Sequence, residues 1–392
     1  MFSRRTATPR VPNALTVALD RARDAGASIL DLTVSNPTRA GLRYAALPIL
    51  SALGDPRALE YSPAPFGLLE ARRAVAAVYA EAGVSVDPSR IVLTASTSEA
   101  YGFLWKLLCD DGDDVLVPQP SYPLFDLLAQ LEGVRLVPYP LAYDGRWHVE
   151  LDTALAAVGP RTKAIMMVSP NNPTGSYVAP GELDALARTG LPLVSDEVFA
   201  SFVLGRDVHP TSVLSARAPL VFALGGLSKV AALPQMKLGW IVVGGDDEPK
   251  VAEALARLEL LGDAYLSVGT PIQLAAAAML AARRVTHEAI MARLRVNLDG
   301  ARKAIVGTAA TLLDVEGGWY ATIRLPATET DEQWALAFLE LDGVYVHPGH
   351  FFDFPSDAHV VVSLLTPEDT FSEGIRRMLG RVEARITPPT RG

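Results

Sequence analysis

The chain reads as an α/β protein with a mostly parallel sheet covered by helices on both faces. Three observations predict this. Short apolar runs recur at residues 91–93, 115–117, 164–168, 191–194, 220–224 and 238–243, without the polar/apolar alternation of a half-exposed strand. Strands buried on both faces look like this, which is the habit of parallel sheets. Segments with helical spacing fall between them, at 69–82, 98–108 and 180–188, and alternating strands and helices build α/β layers. Finally, 392 residues exceed one ordinary domain of roughly 100–200.

Taken in order, the chain opens with an arm, residues 1–12, carrying Arg4, Arg5 and Arg10, followed by a helix-like stretch containing Asp20 and Asp24. No apolar segment follows the arginines, so a structural arm is expected in place of a targeting peptide. Helix 69–82 leads to strand 91–93, and helix 98–108 leads through the polar turn 110–114 into strand 115–117. A long helical stretch, 273–298, precedes a second α/β unit with strands at 320–325, 344–346 and 360–365 and a terminal helix at 373–385. Pro and Gly punctuate turns throughout and mark no single linker.

Composition closes several doors. With 49% hydrophobic and 20% charged residues the chain has ample apolar surface to bury, so global disorder is excluded. Lys and Arg number 35 against 44 acidic residues, a net charge of −9. That is the wrong sign for nucleic acid or an anionic membrane. No apolar run reaches the roughly 20 residues that span a bilayer, and a cytoplasmic protein is expected. The single Cys109 rules out an intrachain disulfide and a multi-thiolate metal site. His347 and His350 flank a Pro-Gly turn with no carboxylate placed to complete a ligand set, so no metal is expected. Phosphate-loop, dinucleotide and nucleophile-elbow motifs are all missing.

What remains is a set of loops at strand ends. Strand 164–168 closes on Ser169-Pro170-Asn171-Asn172-Pro173-Thr174-Gly175. Asp196 follows Asn172 by 24 residues and ends the next strand, where a carboxylate is costly to bury without a partner. Gly225-Gly226-Leu227-Ser228-Lys229 ends another, 33 residues after Asp196. In this order and spacing the chain resembles the class I/II, fold-type I aminotransferases, which use pyridoxal 5'-phosphate. The resemblance runs from about Asp31 to the terminal helix.

The resemblance implies roles. Lys229 would hold the cofactor as a Schiff base, exchangeably, and then shuttle the substrate proton. Asp196 would keep the cofactor ring nitrogen protonated. Asn172 matches the residue that bonds the ring hydroxyl and approaches the substrate carboxylate. Thr94-Ala95-Ser96-Thr97-Ser98 lies where a helix N-terminus cradles the phosphate, with Ser228 and Lys237 adding a hydroxyl and a cation. Tyr122 matches the aromatic stacked on the ring, and Tyr61 the tyrosine that reaches a neighbouring subunit's phosphate, so a homodimer is implied. Residues 46–286 would form the large cofactor-binding domain, and 1–45 with 287–392 the smaller one. Amino groups would pass from an amino acid to a keto acid through a pyridoxamine phosphate intermediate. A β-eliminating lyase, or another fold-type I enzyme on the same cofactor acting on an atypical amine substrate, is the nearest alternative.

The pattern breaks in places. Phe199 stands where many relatives carry a tyrosine bonded to the ring hydroxyl. Gly226 replaces a phosphate-binding serine, and Lys237 an arginine. The largest break is Val361, two residues before Ser363, where the family keeps the arginine that anchors the substrate carboxylate. No Lys or Arg occurs between Arg324 and Arg376, and ten acidic residues do. Either Arg39, the first choice, or Arg43 supplies the missing cation, or the substrate lacks a standard α-carboxylate or holds it by backbone and Asn172 alone.

Overall fold

The computed structural model describes residues 2–7 and 11–386, so Arg10 of the arm lies outside the described residues. A short first strand, β1 (Leu30–Asp31), belongs to the C-terminal half of the molecule. The main sheet follows: β2 (Ile91–Thr94), β3 (Asp114–Gln119), β4 (Arg135–Tyr143), β5 (Trp147–Val149), β6 (Thr162–Val168), β7 (Leu193–Asp196), β8 (Val221–Gly226) and β9 (Gly239–Gly244). Its spatial order is β2-β9-β8-β7-β6-β3-β4-β5. Pairs β8·β7, β7·β6, β6·β3 and β3·β4 are parallel, whereas β9 and β5 run against their neighbours.

The expected doubly covered sheet is present. Ile165, Met167, Val221 and Ala223 enter one apolar cluster, while Ala164, Met166, Phe222 and Leu224 enter another. Neighbouring residues on one strand thus face opposite layers, which explains the unbroken apolar runs. The hairpin of β4 and β5 went unread in the sequence. Pro138 and Pro140 interrupt β4, and prolines are tolerated there because the hairpin forms the sheet edge.

Beyond the 35-residue helix Thr270–Ala304, longer than the 273–298 expected, the C-terminal sheet is antiparallel. It orders β10 (Thr311–Leu312), β11 (Tyr320–Arg324), β14 (His359–Ser363) and β13 (His347–Pro348). β12 (Val344–Tyr345) instead pairs parallel with β1, and the Ser363 N–H donates to Leu32 O at 2.7 Å. The N-terminal segment is therefore strapped onto the C-terminal sheet. One face of that sheet, through Ala321, Ile323, Val360 and Val362, packs on Trp334, Phe338 and Phe371 of the helices behind it. The terminal helix begins at Glu368, one turn before the expected start.

Candidate active site

The ends of β6, β7 and β8 and the turns after β2 and β3 open into one cavity of about 320 Å³. Carboxyl ends of strands are where open α/β sheets bind ligands. Ser96, Thr97, Ser98, Tyr122, Asn172, Asp196, Ser228, Lys229 and Lys237 all line it. Tyr61 and Arg39 do not. Tyr61 is 78% exposed, and Arg39, also exposed, ends the 3-10 turn Pro37–Arg39. Ser35, from the same N-terminal segment, lines the wall instead.

Each loop is set locally. Ser96 caps the helix Thr97–Leu108, its hydroxyl accepting from the Glu99 N–H at 3.2 Å, and Glu99 accepts from the Ala95 N–H at 2.7 Å. This reciprocal cap leaves the helix start open to an anion beside three hydroxyls. Gly239, the first residue of β9, runs against it: a Cβ there would meet Ser96 C at 2.8 Å and Thr97 N at 3.0 Å. The 169–175 loop is pinned by Asn171, which accepts from Ser121 Oγ at 3.1 Å and donates to Thr174 Oγ1 at 3.0 Å. That bond pattern joins the turn after β3, which carries Tyr122, to the turn that carries Asn172.

Asp196 accepts from Tyr101 Oη at 2.6 Å and from the Val198 N–H at 3.1 Å. Burial nevertheless pushes its carboxyl above the ordinary range, against those bonds and the pull of Lys229. Burial likewise pushes the Lys229 amine down, against Asp196. Lowering favours the neutral amine, the nucleophilic form that can attack a carbonyl. The Lys229 Nζ lies 5.4 Å from the Phe199 ring and 5.2 Å from the Trp319 ring. Tyr101 was missed in the sequence. It sits one turn into the helix that opens at the phosphate turn, and a fully buried tyrosine needs a partner for its hydroxyl.

These residues fit the cofactor implied by the sequence. The cavity has room for a small aromatic ring, a buried carboxylate awaits a cationic partner, and hydroxyls with Lys237 surround a helix N-terminus. The Asn172 Oδ1 is buried with no hydrogen-bond partner. A second, larger cavity of about 530 Å³ lies behind the same strand ends, lined by Tyr79, Glu197, Trp240 and Arg283. It holds none of the residues above: Asp196 faces one cavity and Glu197 the other. Burial pushes Glu197 up to about 7, and it accepts from Ser212 Oγ and the Val213 N–H, both at 2.8 Å.

A family model described as aminotransferase class I and II matches residues 28–372. The chain belongs to that family. It is an enzyme of pyridoxal-phosphate-dependent transamination. It is 27% identical over 374 residues to the glutamate-pyruvate aminotransferase AlaA of Haemophilus influenzae, covering 91% of each chain. It is 28% identical to the arginine–pyruvate transaminase AruH of Pseudomonas aeruginosa, over 76% of this chain and 75% of that one. The solved alanine aminotransferase of Pyrococcus furiosus has the same fold, with TM-score 0.87 and 24% identity over 98% of this chain and 100% of that one. These names favour transamination over the β-eliminating alternative. When bound, the cofactor supplies an aldehyde to receive the amino group and a ring that draws electrons from the substrate carbon.

Among the wall residues of this aminotransferase, Phe199 is the departure with a spectroscopic consequence. Its ring packs edge-on against Trp319 at 5.3 Å and offers no hydroxyl to the cofactor. In Phe199→Tyr a new donor would stabilise the ring oxygen as its anion. The pH titration of the cofactor's visible band is expected to shift to lower pH in that variant. An unchanged or higher midpoint would contradict this placement.

Proposed function

We propose that Lys229 holds pyridoxal 5'-phosphate as a Schiff base and moves the proton at the substrate carbon, with Asp196 as the partner of the ring nitrogen. One observation carries this reading: the half-buried Lys229 and the buried Asp196 meet at the ends of adjacent parallel strands, each with its ionisation resisted. Ser96, Thr97, Ser98, Ser228 and Lys237 take the phosphate. Tyr122 lies against the ring, and Asn172 meets both the ring hydroxyl and the substrate.

The amino group comes from an amino acid and passes to a keto acid or related carbonyl acceptor, with pyridoxamine phosphate between the two half-reactions. The relatives' names include glutamate–pyruvate, tyrosine and arginine–pyruvate, so the family resemblance leaves the side chain of the donor open. The active unit is a cytoplasmic homodimer. Tyr61, exposed and away from its own chain's cavity, suits a residue that serves the neighbour's phosphate. Among the described residues no single helix is long and apolar enough to cross a membrane. Residues 46–286 form the cofactor domain, and the N-terminal segment with residues 287–392 the domain beside it; the pairing of β1 with β12 supports that division.

Titrating the holoenzyme with a panel of amino acids tests the reaction. The visible band is expected to give way to that of the pyridoxamine form and to return on adding a keto acid. Ammonia released in step with substrate loss, with no pyridoxamine form accumulating, would contradict transamination.

A further inference from the structure

We propose that Tyr101 is a positioning residue of this site: its hydroxyl holds Asp196 as the charged carboxylate that a protonated cofactor ring requires. The inference rests on the aminotransferase reading. It adds a residue that lies behind the cavity wall and acts through Asp196, which lines it.

Local structure brings the two side chains together. Tyr101 lies one turn into the helix Thr97–Leu108, whose first residues line the cavity. Helix side chains lean back towards the helix start, and here that direction leads to the end of β7. The Tyr101 hydroxyl donates to Asp196 Oδ2 at 2.6 Å, and the Val198 N–H donates to Oδ1 at 3.1 Å. Each carboxylate oxygen thus takes one donor from the protein. An ionised carboxyl has about four acceptor positions, so capacity remains for a ring N–H.

The donor is fixed by its packing. Tyr101 is 1% exposed, so solvent cannot stand in for it. The Phe125 ring packs edge-on against Tyr101 at 5.4 Å, and Trp105 lies 6.0 Å away. Phe125 also packs edge-on against Tyr122 at 5.9 Å. One phenyl ring therefore braces both the tyrosine assigned to the cofactor face and the donor to Asp196.

Charge explains why the donor is needed. A carboxylate away from water is driven to take up a proton. Burial does this at Asp196, and the Tyr101 hydroxyl leads the groups that oppose it, ahead of the Val198 N–H and the charge of Lys229. The remaining ionisable neighbours bring no cation: burial first, and the Asp196 charge after it, hold Glu197, Tyr79 and Tyr122 towards their neutral forms. Burial and then Asp196 also push Tyr101 well above the ordinary tyrosine range. A hydroxyl that does not ionise is a donor at every working pH. Without it the shared proton moves from the ring nitrogen towards Asp196, and the ring draws electrons less well.

The test reads that proton directly. Tyr101→Phe keeps the ring and removes only the donor. In the apoprotein, carbon NMR of isotope-labelled Asp carboxyls should show the Asp196 titration midpoint raised by about one pH unit or more, the scale of a hydrogen bond to a charged group. The Asp196 signal is the one missing from Asp196→Asn. In the holoenzyme, nitrogen NMR of isotope-labelled cofactor should move towards the unprotonated position, with kcat lowered roughly tenfold and KM little changed. Adding Tyr101→Phe to Asp196→Asn should leave the ring-nitrogen signal where Asp196→Asn alone puts it. Fluorotyrosine placed at position 101, a stronger donor of nearly the same shape, should lower the Asp196 midpoint; it keeps the test open where Tyr101→Phe does not fold. An Asp196 midpoint or a ring-nitrogen signal unmoved in folded Tyr101→Phe would overturn the proposal. A ring nitrogen unaffected by Asp196→Asn itself would instead refute the role of Asp196 beneath it.

Discussion

Lys229→Ala protein is expected to lose turnover by about 10⁴-fold while still binding the cofactor, because a general acid–base group contributes up to about that factor. Lys229 is half-buried near Asp196, and its desolvation lowers the amine's pKa, which favours the neutral form. That form can both attack the cofactor aldehyde and accept the substrate proton. Among the described residues the other basic side chain lining the cavity is Lys237, which the proposed function gives to the phosphate. Single-turnover kinetics with an amino acid donor measure the loss. A loss smaller than about tenfold would assign the proton transfer elsewhere.

Asp196→Asn is expected to lower kcat by about 10²–10³-fold, the usual scale for removing one preorganised electrostatic partner. The amide keeps the shape of the carboxylate, and Tyr101 and the Val198 N–H can still bond to it. What disappears is the negative charge that the proposed function sets against the ring nitrogen. The sign of the stability effect separates this role from a structural one. Burial raises the Asp196 pKa above its ordinary value, so the charged carboxylate costs the folded apoprotein stability once the pH rises above the unfolded-state pKa. The apoprotein of Asp196→Asn should therefore melt no lower than the unaltered apoprotein at neutral pH. A large fall in Tm together with the loss of activity would mark Asp196 as a structural residue.

The sequence was legible where local chemistry decides the structure. Strands at 164–168 and 220–224 are apolar at every position because both faces of the sheet are covered, and the loops that follow them place Asn172 and Lys229 at strand ends on either side of β7, which ends in Asp196. Ser96 announces its helix as an N-cap. What could not be read depends on pairings distant in the chain. Tyr320 and Ser35 join one wall only because the N-terminal segment lies across the C-terminal sheet, with Ser363 bonded to the backbone at Leu32 and Val34. Arg39 was the natural candidate for the missing cation from its position in the sequence. The 3-10 turn that carries it leaves it exposed, while Ser35, four residues earlier, reaches the cavity. Tyr101 was hidden for a different reason: on a helix face it looks like any core aromatic, and its function lies in the carboxylate it meets.

The central claim is that Lys229 holds the cofactor covalently. Borohydride reduction of the holoenzyme, followed by proteolysis and peptide mass analysis, tests it most directly. The added mass of the reduced cofactor is expected on the peptide containing Lys229 and nowhere else, and it should vanish in Lys229→Ala. Labelling of Lys237, or of no lysine at all, would contradict the account.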